Sequence, residues 1–404
     1  MLDNVKSPYI FKIIFGYISK EKRLKIIKIN KGIQKRLKED YKLYVFLKVF
    51  ISKNNLTNED IDIKELNLEE NYMGNDGFKY LNSIEFTQLN KLNLYWNYIS
   101  DISTLAKGSY KELTELNLSK NGISDISIFE KVNLKELLKL DLSNNDISDL
   151  KVLEKVNFIN LKELNLEYNK ISDLSIFEKV NFKELNKLNL NNNRIYDINA
   201  LEKANFKKLK ELNLKTNNIS KLITLEKVNF KELNKLDLND NKISDLSILG
   251  KVDFKELTEL NLSKNNISDI SVLEKVNFKE LSKLNLSDNG ISDIMVLGNV
   301  HFPKLKELNL NSNIISNINV FNEMNFKELK KLYLRRNNIK LVKPLENANL
   351  KELKELDLKD NSIFNKKMLA KIPLQVKILY DKPVIHETYS GYHYTGGFPS
   401  DVDW

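Results

Sequence analysis

Apolar residues along most of this chain recur at fixed intervals rather than in blocks. From about Ile63 to about Val376 the text repeats L-x-x-L-x-L-x-x-N-x-I-x-x-I-x-x-L-x-x-V-x-F-x-x, as in LKELNLEYNKISDLSIFEKVNFKE at residues 161–184. The asparagine stands every 24 residues without a slip from Asn97 to Asn361, with Asn71 ahead at a spacing of 26. Thirteen such units fill the stretch. The L-x-L core has a period of two, which predicts a short strand with two leucines facing inward. The outer half carries apolar residues at about every third position, which predicts helical or 3₁₀ turns facing the strand layer. No unit is large enough to bury its own apolar face, so the repetition predicts stacking into a solenoid.

The asparagine at the turn after the strand faces inward on this reading. There it satisfies backbone groups of adjacent turns that burial would otherwise leave unpaired, at a cost of roughly 1–3 kcal/mol each. The residue before the first leucine of L-x-L alternates without exception, from Glu65 and Lys91 through to Lys331 and Glu355. Opposite charges one strand apart are favourable neighbours. The row therefore reads as a self-complementary ladder, and as the trace of a duplicated pair of units. The residue inside L-x-L is Asn or Asp in twelve of thirteen units, and reads as polarity for solubility; the exception is Tyr333.

The repeat resembles the leucine-rich-repeat family. The wording from Asn121 to Phe129 and from Asn265 to Leu273 is similar to the phosphatase-1 regulatory-subunit and internalin subclass. The resemblance implies an α/β solenoid: a horseshoe with a concave parallel β-sheet that binds proteins, closed by a helical N-terminal cap and a short C-terminal cap. Residues 1–60 form the first cap on this reading, 61–376 the repeats, and 377–404 the last cap and tail. At about 4.8 Å per strand, thirteen strands span an arc of roughly 60 Å.

The N-terminal segment carries no repeat. Ser7-Pro8 reads as an N-cap followed by the first helical position, with Ile10, Ile14, Phe15 and Ile18 on one helical face. Pro8, Ile14, Phe15 and Ile18, followed by Leu24 and Ile27, also resemble an F-box. That resemblance implies docking on a ubiquitin-ligase adaptor, with the solenoid holding the substrate. Ser7 stands where that motif has Leu, and its closing Trp is missing. At the other end Lys366 breaks the apolar pattern, and Val376 to Tyr380 reads as a final strand over the open edge.

The formal charge of +9 sits in the first fifty residues, which hold 13 Lys/Arg and 4 Asp/Glu; the remainder balances to zero. Those lysines are interleaved with apolar residues over three predicted helices. They read as a solvated outer face, not as a membrane or nucleic-acid surface. Cysteine is absent, which removes disulfides and thiolate metal sites. His386, Glu387 and His393 match no compact ligand set, and no Gly-rich phosphate loop occurs. A carboxylate copied from unit to unit is scaffold, so catalysis is not expected, nor a cofactor. There is no apolar run of about 18 residues or more, and Lys12 interrupts the N-terminal apolar stretch where a secretory signal would need continuity. The expectation is a cytoplasmic, monomeric scaffold with a protein partner. The alternatives are an F-box-type substrate receptor and an internalin-like surface adhesion protein.

Recognition needs departures from the repeat, and few exist. Tyr95, Trp96 and Tyr98 cluster early, one unit after Tyr72; Tyr168 stands alone; Tyr333, Arg335 and Arg336 cluster late. Aromatics and arginine are the usual interface anchors. Tyr95, Trp96, Tyr168, Tyr333, Arg335 and Arg336 are therefore the candidate partner-binding residues. Packing beneath the N-terminal cap is the competing role for the early cluster.

Overall fold

The computed structural model describes residues 64–381, apart from 71–72, 83–85, 87, 325, 347, 349, 365–368, 370–371 and 373–375, and the backbone of two short segments before them. Those two, β1 (Lys6–Ser7) and β2 (Lys38–Glu39), pair antiparallel. The repeats supply three-residue strands: β3 (Glu65–Asn67), β4 (Lys91–Asn93), then one every 24 residues from β5 (Glu115–Asn117) through β14 (Lys331–Tyr333) to β15 (Glu355–Asp357). The last strand among the described residues is β16 (Lys377–Leu379), which pairs parallel with β15. Together β3 to β16 make one open parallel sheet of fourteen strands in strict chain order. This is the leucine-rich-repeat solenoid that the period predicts.

Each strand is three residues long and lies between two changes of direction, as Glu163–Asn165 lies between the turn at 159–160 and the bend at 168–169. Its middle leucine is buried and the flanking residues stay accessible, as in the buried Leu164 between Glu163 and Asn165. Across the repeat, 3₁₀ turns return the chain, as at Ser175–Glu178 and Ser271–Glu274. An aspartate opens most of them. Asp173 Oδ1 accepts the Ser175 N–H at 2.8 Å, and Asp269 does the same for Ser271. These contacts hold the carboxyls of Asp173 and Asp269 below the ordinary aspartate value.

The core is one continuous column system of stacked leucine, isoleucine and phenylalanine. Phe206 lies flat on Phe230 with centroids 6.4 Å apart, and Phe302 on Phe326 at 6.5 Å. Full burial of such side chains stabilises by about 1.5–3 kcal/mol each. The first described turns break the column chemistry in one place. Tyr110 stands where later units have Leu134 or Phe158, and its buried hydroxyl donates to Asn82 Oδ1 at 2.5 Å. Asn82 follows the helix α1 (Gly74–Leu81), so this bond ties that helix to the stack. A Cβ at Gly108 would lie 2.1 Å from the Tyr110 ring, which explains glycine where later units carry Val132 and Val156. Burial pushes the Tyr110 phenol far above its ordinary value.

The inward asparagines stitch the turns as their position implies. Asn145 donates through Nδ2 to the carbonyls of Leu118, Leu142 and Ser143 at 3.0–3.2 Å. Its Oδ1 accepts the Ile123 N–H at 3.0 Å. One side chain thus serves the backbone of two successive repeats, and the arrangement recurs through Asn361.

Candidate binding faces

Three columns line the outward strand face: the Glu/Lys row, the residue inside L-x-L, and the residue two positions further on. From β3 to the strand that carries Lys187, the first two of these columns, with leucines between them, wall a trough of about 600 Å³. The charged row is in register from strand to strand, Lys235 between Glu211 and Glu259 being one instance. Ion pairs run along it: Lys91 to Glu65 at 3.0 Å, Lys139 to Glu163 at 3.0 Å, Lys187 to Glu211 at 2.9 Å. Glu65 and Glu163 raise the lysine pKa at Lys91 and Lys139 above the usual value, chiefly through these hydrogen bonds. The alternation extends one strand beyond the repeats, because Glu355 faces Lys377. Sequence periodicity did not reveal that last partner, since its spacing is 22 rather than 24.

The middle column is not merely polar. Asn93 Oδ1 accepts the Tyr95 N–H at 3.1 Å, Asp141 the Ser143 N–H at 2.9 Å and Asp357 the Lys359 N–H at 3.0 Å. These are Asx turns, and they end every strand from β3 to β15 except β14. The expectation of simple solubility is therefore corrected: the column is built into the backbone. Tyrosine has no acceptor that can reach back in this way. At Tyr333 the bond is replaced from outside, the Arg335 N–H donating to Asn311 Oδ1 of the preceding repeat at 2.7 Å.

The late cluster comes together on and beside this strand. Tyr333 is half-buried in the sheet face between the neighbouring Asn309 and Asp357. Burial first, then the Glu355 carboxylate, raises its phenol pKa. The Glu307 carboxylate raises that of Lys331. Arg335 and Arg336 both reach Asp360 Oδ2 through Nε, at 2.8 and 3.3 Å. The Arg335 hydrogen bond draws the Asp360 carboxyl below its usual range. Sequence reading missed Asp360, whose column is otherwise too variable to stand out.

Trp96, Tyr168 and Arg336 share one position, directly before the ladder asparagine, and all have left-handed backbone with φ of 51–53°. Side chains there leave the strand face at its rim. Tyr168 is about half exposed. The early aromatics pack on the following repeat: Tyr95 and Trp96 meet edge to face at 6.4 Å, with Lys120 Nζ 3.6 Å from the Trp96 centroid. The strand face thus separates the candidates into three groups along the array. Pro8, Ile14, Phe15 and Ile18, the F-box-like set, lie outside the described residues, as do Tyr72, Lys366, His386, Glu387 and His393.

Large exposed apolar residues that sequence reading passed over lie on the flank beyond the rim: Tyr196, Ile223, Leu341 and Phe364. Their signal was present, because each replaces a serine, aspartate or other polar residue of its column. Among the described residues no group of three or more His, Asp or Glu could hold a metal ion. None of their helices is long and apolar enough to cross a membrane.

Family profiles described as leucine-rich repeats match residues 111–155, 159–176, 231–275 and 303–363. No protein of curated function matches the chain in sequence. Among solved structures, an internalin (inlF) from Listeria monocytogenes is similar at 28% identity and a TM-score of 0.67, over 85% of this chain and 95% of that one. A leucine-rich-repeat protein from Leptospira interrogans is similar at 21% identity and a TM-score of 0.52, over 78% of this chain and 95% of that one. A plant peptide hormone receptor, RGFR1, solved in complex with RGF2, is similar at 19% identity and a TM-score of 0.59, over 80% of this chain and 52% of that one. The last two likenesses concern the fold.

Proposed function

The chain is a leucine-rich-repeat protein, and we propose that it is a non-catalytic interaction scaffold whose protein partner seats on the strand face around Tyr333, Arg335 and Arg336. The observation that carries this reading is the break in the Asx column. Twelve repeats keep Asn or Asp there, and at Tyr333 the lost turn bond is supplied by Asn311 instead. A departure that the neighbouring repeat must accommodate adds nothing to the scaffold itself. What it adds is an aromatic ring on an outward face, flanked by two guanidiniums, which is the side-chain chemistry of interface anchors.

The test is affinity capture with mass spectrometry, using the full chain and its Tyr333→Ala, Arg335→Ala, Arg336→Ala triple variant. The expected result is loss of a specific partner with the thermal unfolding curve nearly unmoved. Parallel variants at Tyr95 and Trp96, and at Tyr168, locate any second contact. Capture retained by the triple variant removes the site. A surface-adhesion role of the internalin kind is the second reading. It is favoured by the likeness to an internalin along nearly all of that chain, and it predicts that the captured partner is a protein of another cell's surface.

A further inference from the structure

Charge is nearly balanced in most repeats but not in the one that carries Tyr333. Residues 329–352 hold seven basic and two acidic side chains, whereas residues 257–280 hold three and four. The origin is visible column by column. Four positions after the ladder asparagine, eight of the nine units from Asp101 to Asp293 carry aspartate; Asn317 and Leu341 follow. Three positions after it, nine of ten units from Ser100 to Ser316 carry serine; Lys340 and Phe364 follow. The flank of the array therefore changes from acidic to basic and apolar in its last turns. Leu341 is 64% exposed and Phe364 75%, and Lys340 Nζ stands 5.9 Å from the Phe364 centroid.

These departures lie on one path. It starts at Tyr333 on the strand face, crosses the rim at Arg335 and Arg336, passes the buried Asn337 and Ile339, and reaches Lys340 and Leu341 on the flank. Phe364 sits beside its end, one repeat on. A flat lipid surface cannot touch both faces at once, and a flexible polypeptide can bend over the rim. Nucleic acid would stack bases on successive planar rings, and between Tyr333 and Phe364 the path offers the aliphatic Leu341 instead. Two copies of this chain laid antiparallel, flank on flank, would set aspartate against aspartate over most of the array.

We infer that this repeat binds an extended, acidic segment of a protein partner that also carries apolar residues. The inference rests on the strand-face reading above for its Tyr333 end. The segment runs along the repeat, from the sheet over the rim. Its carboxylates meet Arg335, Arg336 and Lys340, and its apolar side chains meet Tyr333, Leu341 and Phe364. Each guanidinium is held by Asp360 through Nε, and its fork geometry suits a second carboxylate through the Nη donors. Asp360 thus orients the pair.

The probe is a fluorescein-labelled synthetic peptide of repeating Asp-Leu-Glu-Phe, titrated with the purified full chain and followed by anisotropy. Its Asn/Gln counterpart is the neutral control. Oligo(dT) and phosphatidylserine vesicles are the competing ligands. The acidic peptide should bind at least about tenfold more tightly than the neutral one, and Lys340→Glu with Leu341→Ser should weaken it about tenfold, as expected for interface anchors. These side chains are exposed, so circular dichroism and the urea midpoint should not move. Equal binding of the two peptides, or an unaffected flank variant, overturns the inference. So does binding of oligo(dT) or vesicles in place of the acidic peptide, or self-association abolished by the same substitutions. Partner capture that depends on Tyr333 but ignores the flank variant would overturn this inference while leaving the strand-face reading intact. Capture indifferent to Tyr333 sinks that reading in its own assay.

Discussion

A residue in this array has copies of itself as neighbours one repeat away, so a change in one side chain shows clearly against its column. Asp237 is the sharpest case. It occupies the Asx column between Asn213 and Asn261 and accepts the Asn239 N–H at 2.9 Å. Burial raises its carboxyl pKa above the ordinary 3.8, although the hydrogen bonds from Asn239 and Asn261 work the other way. A raised pKa in an acid means that the ionised form is disfavoured in the fold. The cost is present above the folded pKa and vanishes as pH falls through it to the unfolded value. Asp237→Asn keeps the acceptor oxygen and removes the charge. The variant should have a higher urea midpoint than wild type at pH 7, and the gap should close as the pH is lowered to about 3.5, below the unfolded aspartate pKa. A gap that persists or widens in acid contradicts this account. Asp173 and Asp269 act in the opposite sense. Their folded pKa values are depressed by the serine contacts, so their stabilisation is present above 3.8 and is lost as pH falls through the depressed values.

The strand is the smallest element with properties of its own, because its charge has meaning only beside the next strand. Lys235 stands between Glu211 and Glu259, with Glu259 at 3.9 Å and nearly half of the lysine side chain accessible. Exposed pairs of this kind contribute at most about 1 kcal/mol. Lys235→Glu would place three carboxylates on successive strands. A drop of a few degrees in melting temperature is expected at low ionic strength, shrinking toward zero in about 0.5 M salt as the Debye length falls below the strand spacing. A loss independent of salt would point to packing instead. At this scale the sequence was most legible. Period two located the strands, the alternation predicted the pairing, and the ladder asparagine predicted its inward role, because each depends only on residues that the repeat itself supplies. What escaped was contact between particular side chains and backbone groups, which the period does not spell out. The Asx turns and the Gly108–Tyr110 fit are made over two residues inside one repeat, and the Asn311 rescue at Arg335 and the Asp360 partnership join adjacent repeats at positions whose columns vary. Leu341 and Phe364 break their columns in the sequence as well, but those columns lie beyond the rim, outside the strand face that the period-two pattern picks out.

In the whole molecule the repeats are coupled only to their neighbours, so where a defect lies decides what it does. Asn217 donates to the carbonyls of Leu190, Leu214 and Lys215 and accepts the Ile195 N–H; Asn361 makes the same four contacts with Leu334, Leu358, Lys359 and Ile339. Replacing either with leucine orphans the same backbone groups, at roughly 1–3 kcal/mol for each group left buried and unpaired. The local cost is similar, but the consequences differ, because a solenoid's stability is a sum over units and nearest-neighbour interfaces. Asn217→Leu weakens an interface with several repeats on either side, each set large enough to remain folded alone. Urea unfolding followed by hydrogen exchange should then split into two steps that part near residue 217. Asn361→Leu weakens an interface near the end of the repeats. It should accelerate exchange from about β14 onward while leaving the main transition where it was. The late strand face lies in that region, so Asn361→Leu should also reduce partner capture without touching Tyr333, Arg335 or Arg336, and Asn217→Leu should spare capture at urea concentrations where the C-terminal half is still folded. Identical single transitions in both variants would mean that the array unfolds as one unit and that nearest-neighbour coupling does not govern it.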